Sequence, residues 1–255
     1  MKNLLLIIFA LMILPANAKV MEGGITKNGV YNQIVDSNTN LPVSNAKVVL
    51  PKQNYTTYTD NNGVFDLNAN VNDNSIISVE KEGYRPFSLT INERIAARPI
   101  VIGIEKSNIQ DVIISSEMFH LGDDNFSEHS ANSSEFKGTS VGPFFTKTFK
   151  MTADASKKKN YLVIGSIIGV DTLMARSLKQ NSIVNSYASP PEVWFNGQKI
   201  AEIQVNGDGQ KVRLPNNLIR TGANEITITT GRNMMQKAHI DYDDIEFMNL
   251  SVQSE

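Results

Sequence analysis

The 255-residue sequence has no cysteine, one tryptophan and only three histidines, His120, His129 and His239. Without cysteine there is no disulfide framework, no thiol nucleophile and no site for a lipid-modified cysteine. Without a His–Glu cluster there is no case for a zinc hydrolase. Small secreted animal domains more often carry disulfides, so their absence points to a bacterial periplasmic or secreted protein. Neither sign of charge is in excess, with 24 basic against 26 acidic side chains. No global field therefore draws nucleic acid or an anionic surface. Long apolar runs are missing except from Leu4 to Leu14, which follows Lys2 and precedes Pro15-Ala16-Asn17-Ala18. A charged start, a short apolar stretch and an A-x-A site predict a signal peptide over 1–18, cleaved after Ala18. The run is shorter than the roughly 20 residues of a spanning helix. The expectation is a secreted or periplasmic chain with no membrane span after cleavage.

What is present is strand pattern. At 41% hydrophobic residues the chain can bury two small cores. From about residue 29 to 105, short alternating runs recur at even spacing. They cover Gly29 to Asp36, Ala46 to Pro51, Thr57 to Leu67 around Asp60-Asn61-Asn62-Gly63, Ser75 to Val79, Phe87 to Ile91 and Pro99 to Ile104. Almost no helical periodicity interrupts them, which argues for a small β-sandwich. Asp36, Asn38 and Asn40 have the opening spacing of a calcium loop, but Leu41 stands where its glycine belongs and Lys47 where its closing acid belongs. An Asx turn is the better reading.

These residues also resemble a known family. Val35, Asp36, Thr39, Pro42, Val43, Ala46, Val48 and Leu50, then Thr57, Thr59, Asp60, Gly63, Phe65 and Leu67, then Ile77, Val79, Gly83 and Tyr84 are similar to the carboxypeptidase regulatory-like β-sandwich. That resemblance implies a transthyretin-like, Greek-key accessory module, not a peptidase.

Residues 106–118 read as a linker, although Ile109 to Ile114 is strand-like, and 119–254 read as a second, larger domain. Its clearest part runs from Pro190 to Gly231, where alternating segments turn at Asn196-Gly197, at Asn206-Gly207-Asp208-Gly209 and at Gly222-Ala223-Asn224. Val193, Trp194, Phe195, Asn196, Gly197 and Ile200, followed by Val212, Leu214, Pro215, Leu218, Ile219, Gly222, Asn224, Ile226 and Ile228, resemble the galactose-binding-like jelly roll. Leu121-Gly122-Asp123-Asp124 resembles that fold's entry turn. Ile245, Phe247, Leu250 and Val252 resemble its closing strand, with an irregularity expected near Asn249. The fold class expected is all-β, a small Greek-key β-sandwich followed by a larger β-jelly-roll sandwich.

Few residues offer chemistry. Gly138-Thr139-Ser140-Val141-Gly142 spells a nucleophile elbow, but Pro143 and the strand-like run after it leave no helix to follow the serine. Asp123 and Asp124 stand near one end of the second domain and Asp241, Asp243 and Asp244 near the other. If first and last strands are neighbours, Asp123, Asp124, Asp241 and Asp244 would meet around a structural calcium ion; otherwise they are solvated turns. The resemblance adds to the calcium reading. Alternation puts Trp194 and Glu192 opposite Val193 and Phe195. An outward indole would stack on a sugar, with Tyr187, Asn196 or Arg213 supplying hydrogen bonds; otherwise it packs under a loop. His239, with Lys237 and Arg232 beside Met234-Met235, lies in a loop where binding would be placed.

The function expected is therefore an exported, non-catalytic binding protein with a glycan as its ligand. A structural or adhesion protein docking an envelope partner is the alternative, and a hydrolase comes third.

Overall fold

The computed structural model describes residues 20–22, 31–127, 129–130, 136, 138–181 and 187–255. The expected signal peptide and its cleavage point lie outside them, as does part of the Asp/Asn/Ser-rich segment after Gly122. Among the described residues the chain is nearly all β, in four four-stranded sheets. No helix among them is long and apolar enough to cross a membrane.

Alternation becomes strand wherever one face meets a core. The first eight strands are β1 (Val20–Glu22), β2 (Asn32–Asp36), β3 (Lys47–Leu50), β4 (Tyr55–Tyr58), β5 (Val64–Phe65), β6 (Ser75–Glu80), β7 (Phe87–Ile91) and β8 (Ile100–Ile104). They form sheets β1-β8-β2-β5 and β4-β3-β6-β7. Ile34, Val48, Leu50, Phe65, Ile77 and Ile102 belong to the core they enclose. Asp60 Oδ1 accepts from the amides of Asn62 and Val64, both at 2.8 Å, so the Asp-Asn-Asn-Gly turn forms as its residues predict. It carries the chain from one sheet to the other, because β4 pairs with β3 and β5 with β2. Asp36 makes the expected Asx turn, accepting from Asn38 and Thr39 amides at 3.0 and 2.9 Å. Those bonds, the Thr39 amide foremost, hold its carboxyl below the usual range.

The second set is β9 (Val112–Leu121), β10 (Phe144–Met151), β11 (Asn160–Ile168), β12 (Glu192–Phe195), β13 (Gln198–Glu202), β14 (Gly207–Leu214), β15 (Gly222–Thr229) and β16 (Ile245–Ser254). Sheets β10-β15-β12-β13 and β14-β11-β16-β9 hold between them Leu162, Ile164, Val193, Phe195, Ile226, Ile228, Phe247 and Leu250. Asn196 and Gly197, with φ of 50° and 82°, close the β12–β13 hairpin, since this turn needs positive φ at both positions. The turn expected at 206–209 does not form there: Gly207 to Gly209 open β14, and residues 203–206 cross between sheets, because β14 pairs with β11. Residues 112–118, expected as linker, are strand: Val112 pairs with Val252 and Met118 with Met248. An edge strand has a single partner, so its polar residues Ser115, Ser116 and Glu117 break the alternation that would have revealed it. The irregularity expected near Asn249 is there as a register shift between β16 and β9, with Asn249 at φ 60°.

The outer face of β14-β11-β16-β9 is covered by β6 and β7 of the first sandwich. Ile76, Phe136, Ile168 and Met248 form a buried apolar cluster there. Asn249 Nδ2 donates to Ser78 Oγ at 3.0 Å. Asp208 Oδ1 accepts from Thr90 N, Thr90 Oγ1 and Ser166 Oγ at 2.9, 2.8 and 2.7 Å. Gly165 is required here, because a Cβ would overlap the Ser88 hydroxyl and crowd Asn249. Every residue of β16 is buried as a result. Ser88 Oγ, Glu246 Oε1 and Asn249 Oδ1 find no partner in this seam. Each unmet group costs about 1–3 kcal/mol. That offsets part of the roughly 1.5–3 kcal/mol gained per large apolar side chain buried.

Candidate functional site

The opposite outer face, on β10-β15-β12-β13, is open. Register sets Phe144, Thr229, Glu192 and Glu202 in one row across it, and Thr146, Thr227, Trp194 and Lys199 in the next. Val193 and Phe195 are buried, so Trp194 and Glu192 face outward, both half-buried, as alternation predicts. Trp194 Nε1 donates to Glu192 Oε2 at 2.9 Å. Lys199 Nζ donates to Glu192 Oε1 and Glu202 Oε1, both at 2.6 Å. The Lys199 bond holds the Glu192 carboxyl below its ordinary range, and Glu192 in turn raises the ammonium. The hydroxyls of Thr146 and Thr227 bond to each other at 2.8 Å beside the indole. The ring is thus fixed by an ionic brace and flanked by hydroxyls.

The other residues expected around Trp194 do not gather there. Asn196 is spent on the hairpin: its Nδ2 donates to Leu218 O and Asn224 Oδ1, and its Oδ1 accepts from the Glu225 amide. Arg213 is exposed on β14 in the other sheet, over the Tyr161 ring at 5.3 Å and bonded to Asn216 Oδ1. Tyr187 lies in the β11–β12 connection, where its carbonyl accepts from the Met234 amide at 2.8 Å. His239 is exposed in the β15–β16 connection. Alternation tells which residues of a strand face outward but not which sheet they belong to, so it could not separate these positions.

The two aspartate clusters do meet. Asp124 N donates to Asp244 Oδ1 at 3.0 Å, Tyr242 N to Asp123 Oδ2 at 2.9 Å, and Asn125 Nδ2 to Asp241 Oδ1 at 2.8 Å. Asp241 also accepts from Ser130 Oγ and Asn233 Nδ2, and Asp124 from the Ser140 amide. Calcium wants six to eight oxygens. Here N–H and O–H donors point into Asp123, Asp124 and Asp241, while Asp244 Oδ2 is buried without a partner among the described residues. His120, Asp124 and Asp244 bring ligand atoms within 4.8 Å of one another, a mixed imidazole and carboxylate set rather than an all-oxygen one. What the sequence did not reveal is His120, buried at the centre. Its Nε2 lies 3.0 Å from Asp244 Oδ1 and its Nδ1 2.6 Å from Gly138 O. A carbonyl can only accept, so Nδ1 carries a proton, and a carboxylate at Nε2 favours the second. Burial is the largest single influence and opposes that charge, but the bonds to Asp244 and Gly138 O and the charges of Asp244 and Glu246 together outweigh it, and His120 is raised above an ordinary histidine. Glu246, opposite His120 in register, is pushed up to about 7 by burial, with His120 and Lys52 pulling it back.

Ser140, His120 and Asp244 share this loop cluster without forming a catalytic triad. The imidazole nitrogen that would serve as base is bonded to Gly138 O, and Ser140 Oγ donates to Gly122 O at 2.8 Å.

Residues 32–114 match the family model of the CarboxypepD_reg-like domain. The first sandwich is thus similar to a CarboxypepD_reg-like domain. No curated protein matches the chain. Among solved structures it is similar to an α-L-rhamnosidase from Streptomyces avermitilis complexed with L-rhamnose, at 9% identity and a TM-score of 0.25, over 89% of this chain and 23% of that one. It thus spans about a quarter of the rhamnosidase's length. It is also similar to a putative membrane-associated protein of unknown function from Bacteroides fragilis, at 10% identity and a TM-score of 0.25, over 88% of this chain and 96% of that one. At such scores neither likeness bears on function. The CarboxypepD_reg-like match covers the part of the molecule that braces the second sandwich, and neither the Trp194 face nor the His120 cluster falls within it.

Proposed function

We propose that this is an exported, non-catalytic binding protein, in which the CarboxypepD_reg-like sandwich braces a galactose-binding-like jelly roll whose open face binds a glycan around Trp194. The observation that carries this reading is the partly exposed indole, fixed through Nε1 to Glu192 and bordered by Thr146 and Thr227. A ring held in place loses little freedom when a sugar stacks on it, and the adjacent hydroxyls and carboxylates supply the polar contacts a sugar needs. A glycan array followed by calorimetric titration tests it. Saturable binding is expected, weakened about tenfold or more by Trp194→Ala, the loss typical of a central aromatic anchor. No saturable binding to any glycan, or an indifferent Trp194→Ala variant, would overturn it.

The second reading is an envelope assembly protein that docks a protein partner on the same face. Phe144, 59% exposed at the end of the Glu192 row, favours it. Capture of one stoichiometric partner, lost in Phe144→Ser, together with a blank glycan array, would select it.

A further inference from the structure

Two connections at one end of the second sandwich carry a concentration of exposed apolar side chains. The β11–β12 connection contains a short helical segment, Leu173–Ser177. Leu173, Met174 and Leu178 stand out from it, and Met234, Met235 and Ile240 stand out from the β15–β16 connection, each at least half exposed. These six are nearly half of the thirteen large apolar residues exposed among the described residues, on two short segments. The segments are tied together: Met234 N donates to Tyr187 O, Ser189 N to Arg232 O, and Asp171 N to Asp243 Oδ2. Side chains of this kind are not being spared for a core, because the anchoring residues beneath them, Ala175, Asp171 and Asp243, are already buried.

The charges on the same two segments are sorted by exposure. Lys179 and Lys237 are exposed, Arg232 is exposed with its charge acting on Glu192, and Arg176 is paired with Asp171. The acids of these segments, Asp171, Asp241, Asp243 and Asp244, are all buried. Exposed carboxylates at this end, Asp123 and Asp124, belong to the neighbouring β9–β10 connection and accept the amides of Tyr242 and Ser140. On the two apolar segments themselves, the exposed charges are cations alone among the described residues.

We infer that these two segments of the second sandwich dock on an anionic lipid bilayer, with the Leu, Met and Ile side chains entering the interface and Lys179 and Lys237 meeting the headgroups. Apolar tips ringed by cations match a surface that is greasy below and negative above, and neither element alone gives stable anchoring. A protein groove would need complementary shape, for which two separate loop tips offer little.

The test is vesicle co-sedimentation of the chain expressed from Lys19, which removes the apolar leader and none of the described residues. Neutral phosphatidylcholine vesicles are compared with vesicles containing about 30% phosphatidylglycerol, whose surface attracts basic residues within a Debye length. Binding to the anionic vesicles is expected at low salt, falling about tenfold or more at about 0.5 M salt, where screening is short-ranged. Lys179→Glu with Lys237→Glu, and separately Leu178→Ser with Met235→Ser, should each reduce binding by about the same factor, since two weak terms act together. All four positions are exposed, so unchanged melting temperatures should accompany the loss. Absence of binding to anionic vesicles, equal binding to neutral ones, or indifference to both double variants would each overturn the inference. So would a concentration-dependent dimer abolished by Leu178→Ser with Met235→Ser, which would put a second copy of the chain on this surface.

Discussion

The second sandwich has two outer faces that read alike in sequence and end differently. Outward positions on β12 and β15 are Glu192, Trp194, Thr227 and Thr229, and they stay partly exposed. Outward positions on β16 are Glu246, Met248, Ser251 and Gln253, and all are buried, Met248 in one cluster with Ile76 of β6. Polarity does not separate the two cases, because the covering surface is itself polar, with Ser78 and Thr90 hydrogen-bonded across the seam. A face made of serine, threonine and one carboxylate can be an exposed platform or half of an internal joint. Only the partner decides.

Truncation should break the symmetry most clearly. Ile76 lies on the outer face of β6 and is 1% exposed only because the second sandwich covers it. Ile76→Ala should cost about 3 kcal/mol in urea unfolding, the usual range for a buried isoleucine. Trp194→Ala on the open face should change stability by less than about 0.5–1 kcal/mol. Equal losses would mean that the two faces are equally covered in solution.

Proton linkage should come next. Burial raises Glu246 from 4.5 to about 7, so the folded chain holds a proton that the unfolded chain has released between those values. Stability from this group is therefore full below the unfolded value and declines as pH rises through about 7, by about 3 kcal/mol in all. His120 adds the same sign, because its folded value is raised: its contribution is full below the ordinary histidine value and disappears as pH rises through the folded one. Urea unfolding from about pH 5 to 8 should show the decline, and Glu246→Gln should flatten most of it. A flat wild-type profile would place Glu246 in contact with solvent and the seam open.

The smallest expected effect is at Asp208. Asp208→Ala strands the Thr90 amide and the hydroxyls of Thr90 and Ser166. It should cost about 2 kcal/mol, with a coupling of about 1 kcal/mol to Thr90→Ala in a double-mutant cycle. Additive losses would show that the bond across the seam contributes nothing.

Local chemistry was legible in the sequence. Asn196-Gly197, the Asp36 and Asp60 turns and the bulge at Asn249 each depend on residues within a few positions of one another, and each formed as expected. The outward face of Trp194 follows from alternation alone. The meeting of the two aspartate clusters was also expected, since it follows from the neighbouring of β9 and β16. What escaped was whatever needs a partner from elsewhere. His120 is 124 residues from Asp244 and no spacing rule connects them. The strand from Val112 has one neighbour and broken alternation, so it resembled a linker. Arg213 and Trp194 both face outward, but from different sheets.

The position of β16 has a kinetic consequence. It follows every other strand in chain order, yet it lies between β11 and β9 and pairs with both, joining Val112 to Val252. Until it arrives, β9 has no strand to pair with and Ile76 has no cluster to enter. Pairings so distant in sequence fold slowly, because chain entropy is lost before contacts repay it. The first sandwich can therefore form early and wait, holding the greasy side of β6 bare, and in that interval the newly made chain is most exposed to aggregation and to proteases.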